Sequence, residues 1–409
     1  MPGVSTMIQT TTTAASVLGV PLVQTTRGEW VENVHSGHAA VVTWDGELIA
    51  QVGDASIWTF MRSTAKPIQA LPSVLGGVVD TYGLKDEAIA LMCASHQGTP
   101  AHIAVLEQML EQTGVREEQL VFGPMLPASQ EARDELLRQG GKPRKLYHVC
   151  AGKHIGMLAL CKLRGWPLET YTQPEHPLQQ ELLRTVAMIA ELAPEEIGSA
   201  IDGCGLPVFA MPMWRLALVY ARFAAWGSEA AAPLSGESGA AAAGVVGVSA
   251  GIATAGGGDV GGAEVKVAEA GLAGTREAGF ESGAGAPVLE AIAAAAKRIS
   301  AAMISHPTLV EGPDRLASVM LGDGNVVAKS GAQGVFVFGL RQERLAVVIK
   351  LADGGESPWP EAVCAILEQL NLGKALITRI RSQISPEIRN DAGQLVGHRE
   401  SCLTLTLNA

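Results

Sequence analysis

The stretch that decides the fold is residues 38–67, HAAVVTWDGELIAQVGDASIWTFMRSTAKP. Its first half sets two β-rich runs, HAAVVTW and ELIAQVG, on either side of Asp45-Gly46. Asp-Gly between such runs suits a two-residue turn with positive φ, so residues 38–53 are expected to form a β-hairpin. Its last part, Arg62-Ser63-Thr64-Ala65-Lys66-Pro67, opens a helical run. Ser63 is the expected N-cap, which leaves Lys66 near it on the first turn.

Working outward, a helical pattern extends from about Ser63 to Ala225. Residues 99–113 (TPAHIAVLEQMLEQT) place Ile103, Leu106, Met109 and Leu110 at three- and four-residue spacing after a Thr-Pro start. Residues 155–163 and 178–192 follow the same rule. After Pro313 the pattern turns strand-like: LASVML (316–321), NVVAKS (325–330), GVFVFGL (334–340) and LAVVIKL (345–351), with Gly or charged turns between them. A helix at about 358–372 and a last strand at about 394–406 are expected to follow. The predicted class is α/β of the α+β kind, with a mainly antiparallel sheet built from both chain ends (residues 19–62 and 286–409) and a helical block inserted at 63–227.

Between Trp226 and Phe280 there is no aromatic residue, and residues 231–285 hold 15 of the 47 glycines. Such composition buries too little apolar surface to offset chain entropy. Residues 228–285 are therefore expected to be a flexible Gly/Ala-rich insertion, and residues 1–18 a disordered Thr-rich lead-in.

The chain is 409 residues long and 47% apolar, enough for a large core. A net charge of −11 argues against nucleic acid or anionic membrane as the main partner. The six cysteines are sparse and irregular, unlike a secreted disulfide scaffold. No basic residue precedes Arg27, and the uncharged run 238–258 is mostly Gly, Ala and Ser, too weakly apolar to span a bilayer. A cytoplasmic setting is expected.

Four clusters could carry chemistry. In the first, a neutral Lys66 one turn from Ser63 could take the serine proton. Taken alone this is weak, because a Ser cap with a solvated Lys has the same spacing. The second is Lys329-Ser330-Gly331, at the end of a β run. Enzymes with a Ser-x-x-Lys nucleophile carry a K-[ST]-G strand beside it, and both parts occur here in that order, without the middle S-D-N element. The amides of Ser63 and Ala332 could then share an oxyanion hole, with Gly331 permitting close approach. The third is Cys93-Ala-Ser95-His96-Gln97-Gly98, a loop that could present a hydroxyl. The fourth is His148-Val-Cys150-Ala-Gly152-Lys153-His154 with Asp202-Gly203-Cys204-Gly205. Its two thiols could hold Zn²⁺ or could be inert core residues.

Together, RSTAKPIQA (62–70), CASHQG (93–98), CAGKHIGML (150–158), DGCGLP (202–207) and KSGAQGV (329–335) resemble the L-asparaginase II family, the rhizobial type related in fold to serine β-lactamases and glutaminases. The resemblance implies that Ser63 is the nucleophile with Lys66 as its base, and that Ser95 and Lys329 form a second Ser–Lys pair. It implies Cys150, Lys153 and Cys204 as ligands of a Zn²⁺ that assists substrate binding. Asp202 is implied beside that site, facing the substrate's amino group, with Arg62, His96, Gly331 and Ala332 completing the pocket. The implied reaction is hydrolysis of L-asparagine to L-aspartate and ammonia; separately, a homodimer is expected because two-fold dimers are the commonest oligomers. A glutaminase or a penicillin-recognising serine hydrolase on the same scaffold is the alternative, and the missing S-D-N counts against the latter.

Overall fold

The computed structural model of the protein describes residues 18–228 and 286–408, and the expected lead-in and insertion lie outside them apart from their end residues. The main sheet runs in the order β10-β11-β1-β2-β9-β8-β7, with β3 paired to β2 and β12 paired to β3. Its N-terminal strands are β1 (Val20–Arg27), β2 (Trp30–Thr43) and β3 (Leu48–Val52). Its C-terminal strands are β7 (Val326–Gly331), β8 (Val335–Leu340), β9 (Leu345–Leu351), β10 (Glu387–Arg389), β11 (Leu395–Ser401) and β12 (Thr406–Leu407). Every pair is antiparallel, and β2 joins the two halves by pairing with β9 from Gly37↔Leu351 to Thr43↔Leu345. The chain is thus α+β, with a sheet built from both ends.

The helical block holds α1 (Lys66–Leu75), α2 (Val78–Thr81), α3 (Asp86–Met92), α4 (Pro100–Thr113), α5 (Gln130–Arg138), α6 (Ala151–Arg164), α7 (Pro177–Ala190) and α8 (Met213–Gly227). After it come α9 (Ala286–Ser305), α10 (Pro307–Glu311), α11 (Leu316–Leu321), α12 (Trp359–Gln369) and α13 (Lys374–Gln383). One face of the sheet packs Val326, Ala328, Phe336, Phe338, Val347 and Ile349 against α11, α12 and α13. The other face carries α8, which lies so close that a Cβ on Gly339 would stand 2.6 Å from that of Ala224. Strands buried on both faces have no polar side to show, which is why 326–328 of β7, 335–340 of β8 and 345–349 of β9 read as unbroken apolar runs.

Four expectations need correction. LASVML is the helix α11, not a strand. All six residues are buried, so the run has no periodicity to separate the two states, and Leu, Ala and Met favour helix. The hairpin turn is a three-residue loop, Trp44–Gly46, in which Gly46 N–H donates to Thr43 O and Gly46 takes φ +96. That is a type I turn followed by a left-handed glycine, the other common hairpin closure. The helical block is interrupted by β5 (Gly198–Ile201) and β6 (Pro207–Pro212), and β6 lies between β5 and β4 (Trp58–Phe60) in a separate three-stranded sheet. Finally, Ser63 is not an N-cap. It lies within a 3-10 turn, Arg62–Ala65, and Ala65 precedes α1.

Candidate active site

The turn Arg62–Ala65 is held by Thr64, whose N–H and hydroxyl both donate to Met61 O, at 3.1 and 2.5 Å. The Lys66 amide then donates to Ser63 O and starts α1. β7 lies against this turn. A Cβ on Gly331 would stand 3.0 Å from Thr64 Cγ2 and 3.2 Å from Met61 O, tighter than ordinary contact, so glycine lets β7 approach the turn without displacing it. Arg62 takes φ 49, a left-handed conformation rare outside glycine, immediately before Ser63. Its guanidinium Nε donates to Asp202 Oδ1 at 2.9 Å.

Lys66 is buried, and its Nζ reaches Ser95 Oγ at 2.9 Å, Ala94 O at 2.6 Å and Val149 O at 3.3 Å. The hydroxyl of Ser63 forms no hydrogen bond among the described residues. Lys329, also buried, reaches the same Ser95 Oγ at 3.0 Å. The loop bearing Ser95 leaves the end of α3 and is anchored where Ser95 N–H donates to Val310 O at 2.8 Å. Burial, with Lys329 and Lys153 nearby and Cys150 opposing them, lowers Lys66 to about 8. One serine hydroxyl is therefore shared by two buried lysines, one of them easily neutralised.

Lys329 has a further partner that sequence reasoning missed. The carboxylate of Glu311, 1% exposed, pairs with Lys329 Nζ and accepts from Ser330 N (2.8 Å) and Ser330 Oγ (2.6 Å). Burial works against its charge, but the Lys329 ammonium and these hydrogen bonds hold its carboxyl below the ordinary value. A single Glu before Gly312-Pro313 carries no motif, so nothing in the sequence singled it out.

The remaining expected residues fall into two groups. Cys150, Lys153, Cys204 and Asp202 come together at the N-terminus of α6. The Cys204 thiol is hydrogen-bonded to Cys150, Lys153 Nζ lies 3.4 Å from Cys204 Sγ, and Cys204 Sγ lies 3.7 Å from Asp202 Oδ2. The Cys204 hydrogen bond, with Lys66 and Lys153 opposite, lowers Cys150 well below an ordinary thiol despite burial. That same bond and burial raise Cys204. Burial disfavours a charged Lys153, yet the two cysteines and Asp202 hold it above the ordinary lysine value. The second group is His96, within reach of the charges of Lys66 and Cys150, and Ala332. His96 is fully buried, its Nδ1 accepts from Gly98 N–H at 3.1 Å, and burial keeps it neutral with a value near 3. Ala332 is exposed in the turn after β7.

No group of three or more His, Cys, Asp or Glu side chains among the described residues is placed to hold a metal. A metal here would need the Lys153 amine as third donor beside the two sulfurs. Two thiols and an amine with a carboxylate at hand are a donor set that suits Zn²⁺, provided Lys153 gives up its proton.

An α+β frame that focuses two lysines on one serine hydroxyl has the equipment of an acyl-transfer enzyme. The L-asparaginase II family model matches residues 23–247 and 270–401. The chain belongs to the L-asparaginase II family, and with it to the asparaginase-type amidohydrolases acting on amide substrates. No curated protein matches the chain. No helix among the described residues is long and apolar enough to cross a membrane.

Proposed function

We propose that the protein hydrolyses the side-chain amide of L-asparagine through an acyl-enzyme formed on serine. The observation that carries this reading is the Ser95 hydroxyl held between Lys66 and Lys329, beside the Ser63 turn. Ser63 Oγ attacks the amide carbon, and its proton passes to the Lys66–Ser95 pair. The N–H groups of Ser63 and Ala332 receive the oxyanion. The proton returns to the departing nitrogen, which leaves as ammonia. Water then attacks the ester and gives its proton to the same pair, which passes it to Ser63 Oγ as the ester C–O bond breaks and aspartate leaves. Asp202, steadied by Arg62, receives the substrate's amino group.

One observation favours a second assignment within this chemistry. Ser95, not Ser63, is the hydroxyl that contacts both lysines, which would make Ser95 the serine that is acylated. Peptide mapping of the trapped acyl-enzyme by mass spectrometry separates the two.

Cys150, Lys153 and Cys204 would hold Zn²⁺, which when bound supplies fixed positive charge beside the substrate's α-carboxylate. The chain's own part is to keep two sulfurs and an amine converged on one point and Asp202 next to them. Cys150→Ala should lower the bound zinc measured by elemental analysis and raise KM. Unchanged zinc and KM would leave these cysteines as core residues.

The pocket chemistry does not choose between asparagine and glutamine, since one methylene is worth only ~1–3 kcal/mol. Ammonia release from both amides beside nitrocefin hydrolysis, with and without chelator, tests the reading. Nitrocefin turnover without ammonia release would replace the amidohydrolase by a penicillin-recognising enzyme.

A further inference from the structure

Glu311 closes α10, and its carboxylate meets both Lys329 and Ser330 of the end strand β7. A buried ion pair alone says little, because desolvation offsets most of its attraction. Counting protons says more. Lys329 Nζ faces the Glu311 carboxylate, Ser330 O at 3.0 Å and Ser95 Oγ at 3.0 Å. Three acceptors use all three N–H bonds of an ammonium and leave no lone pair. Lys66 Nζ faces two carbonyls and the same Ser95 Oγ. A neutral amine fits that set, donating twice and accepting once. Ser95 then accepts from Lys329 and donates to Lys66. With both lysines charged, its proton would have no acceptor among these partners, and two cations would meet across one oxygen.

We propose that Glu311 is a positioning residue that holds Lys329 as the ammonium of the pair and so leaves Lys66 as the base. This rests on the Ser–Lys reading above. The groups facing Lys329 and its carboxylate are Lys66 from α1, Cys93 at the end of α3, Tyr220 from α8 and Glu311 from α10. Burial keeps Cys93 and Tyr220 neutral, so Glu311 is the one anion of this set. With Glu311→Gln the proton is no longer directed to Lys329. It spreads over both lysines, the base is partly lost, and the ammonium beside Ser95 is easier to strip.

The test is the pH profile of kcat for asparagine in wild type, Glu311→Gln and Glu311→Asp. Glu311→Gln should lower kcat ~10–100-fold, part of what a proton-transfer group supplies. Its alkaline limb should move to lower pH by about one unit, a tenfold change in proton affinity. KM should stay nearly constant, and Glu311→Asp should bring the limb back. A profile that only scales down, or an aspartate variant that leaves the limb displaced, overturns the proposal. A second measurement needs neither the Glu311 variants nor turnover. In wild-type protein labelled at lysine Cε, with signals assigned from Lys66→Arg and Lys329→Arg, NMR at pH 9 should show Lys329 charged and Lys66 neutral. The reverse, or both alike, overturns it. A wild type that releases no ammonia would instead sink the amidohydrolase reading and leave the NMR result to judge Glu311.

Discussion

Lys66 Nζ hydrogen-bonds the hydroxyl of Ser95, 29 residues along the chain, rather than that of Ser63, three residues back. The 3-10 turn before α1 makes this possible. It turns Ser63 into the backbone acceptor for the Lys66 amide, while the lysine side chain runs inward to the loop that follows α3. The two serines thereby acquire different surroundings. Ser95 is tied to both lysines, and Ser63 keeps its hydroxyl unpaired among the described residues, next to the strained Arg62.

That difference sets the order of damage expected from two alanine substitutions. Ser63→Ala should lower kcat by at least ~10⁴, as loss of a nucleophile does. Ser95→Ala should cost ~10²–10⁴, the range of a proton-transfer group. Ammonia release by each variant, with circular dichroism to show an intact fold, measures both. If Ser95→Ala is the more damaging and Ser63→Ala still forms an acyl-enzyme, the nucleophile is Ser95.

Lys66 predicts the pH dependence. A lysine acts as a base only when neutral, and burial brings this one from 10.5 to about 8. The value of kcat/KM should therefore rise with pH and bend over near pH 8, far below an unperturbed lysine. Lys66→Met should abolish that inflection and lower kcat by ~10²–10⁴. An acid limb that persists in Lys66→Met would assign the titration to another group.

How much of this was legible in the sequence depends on the range of the interaction. The Asp45-Gly46 hairpin, the strands β7 to β9 with their apolar stretches and the helix 100–113 follow from local pattern, and all are present. Residues of the five motifs lie near one another in the fold, a tertiary relation that the resemblance carries and spacing does not. What stayed hidden was set by contacts between distant segments. The six buried residues of α11 show no period, β6 is paired on one side by β4 from a distant segment, and Glu311 acts through Lys329 and Ser330, met only in the fold. The pairing of Lys66 with Ser95 belongs to the same group, since a helical i, i+3 rule points to Ser63.

Two glycines test how tightly the segments around Ser95 are packed. A Cβ on Gly152 would stand 2.2 Å from Leu91 O and 2.6 Å from Leu91 C, both backbone atoms. Gly152→Ala must therefore push α6 away from the end of α3, which carries Ser95. Overpacking of this kind costs ~1–3 kcal/mol, and thermal unfolding should show it as a lower Tm together with a fall in kcat. Gly123→Ala, with nothing within 4 Å of the added carbon, should do neither. Equal melting of the two variants would mean that α3 and α6 yield without cost.

Arg62 offers the sharpest separation of backbone strain from charge. Its left-handed φ of 49 costs a residue with a Cβ about 1–2 kcal/mol, and such strain beside a reacting group persists only where neighbours enforce it. Here the neighbours are β7, packed on the turn through Gly331, and Asp202, bonded to the guanidinium. Arg62→Ala keeps the strain and loses the ion pair. Arg62→Gly loses the same pair and releases the strain, at some cost in unfolded-chain entropy. Both should raise KM, because Asp202 is no longer held, but the glycine variant should melt higher than the alanine variant. In the glycine variant, release of the backbone before Ser63 should also lower kcat below that of Arg62→Ala, since a relaxed turn no longer fixes Ser63, the proposed nucleophile. Identical Tm and kcat for the two variants would show that the turn stores no strain and that Arg62 acts through its charge alone.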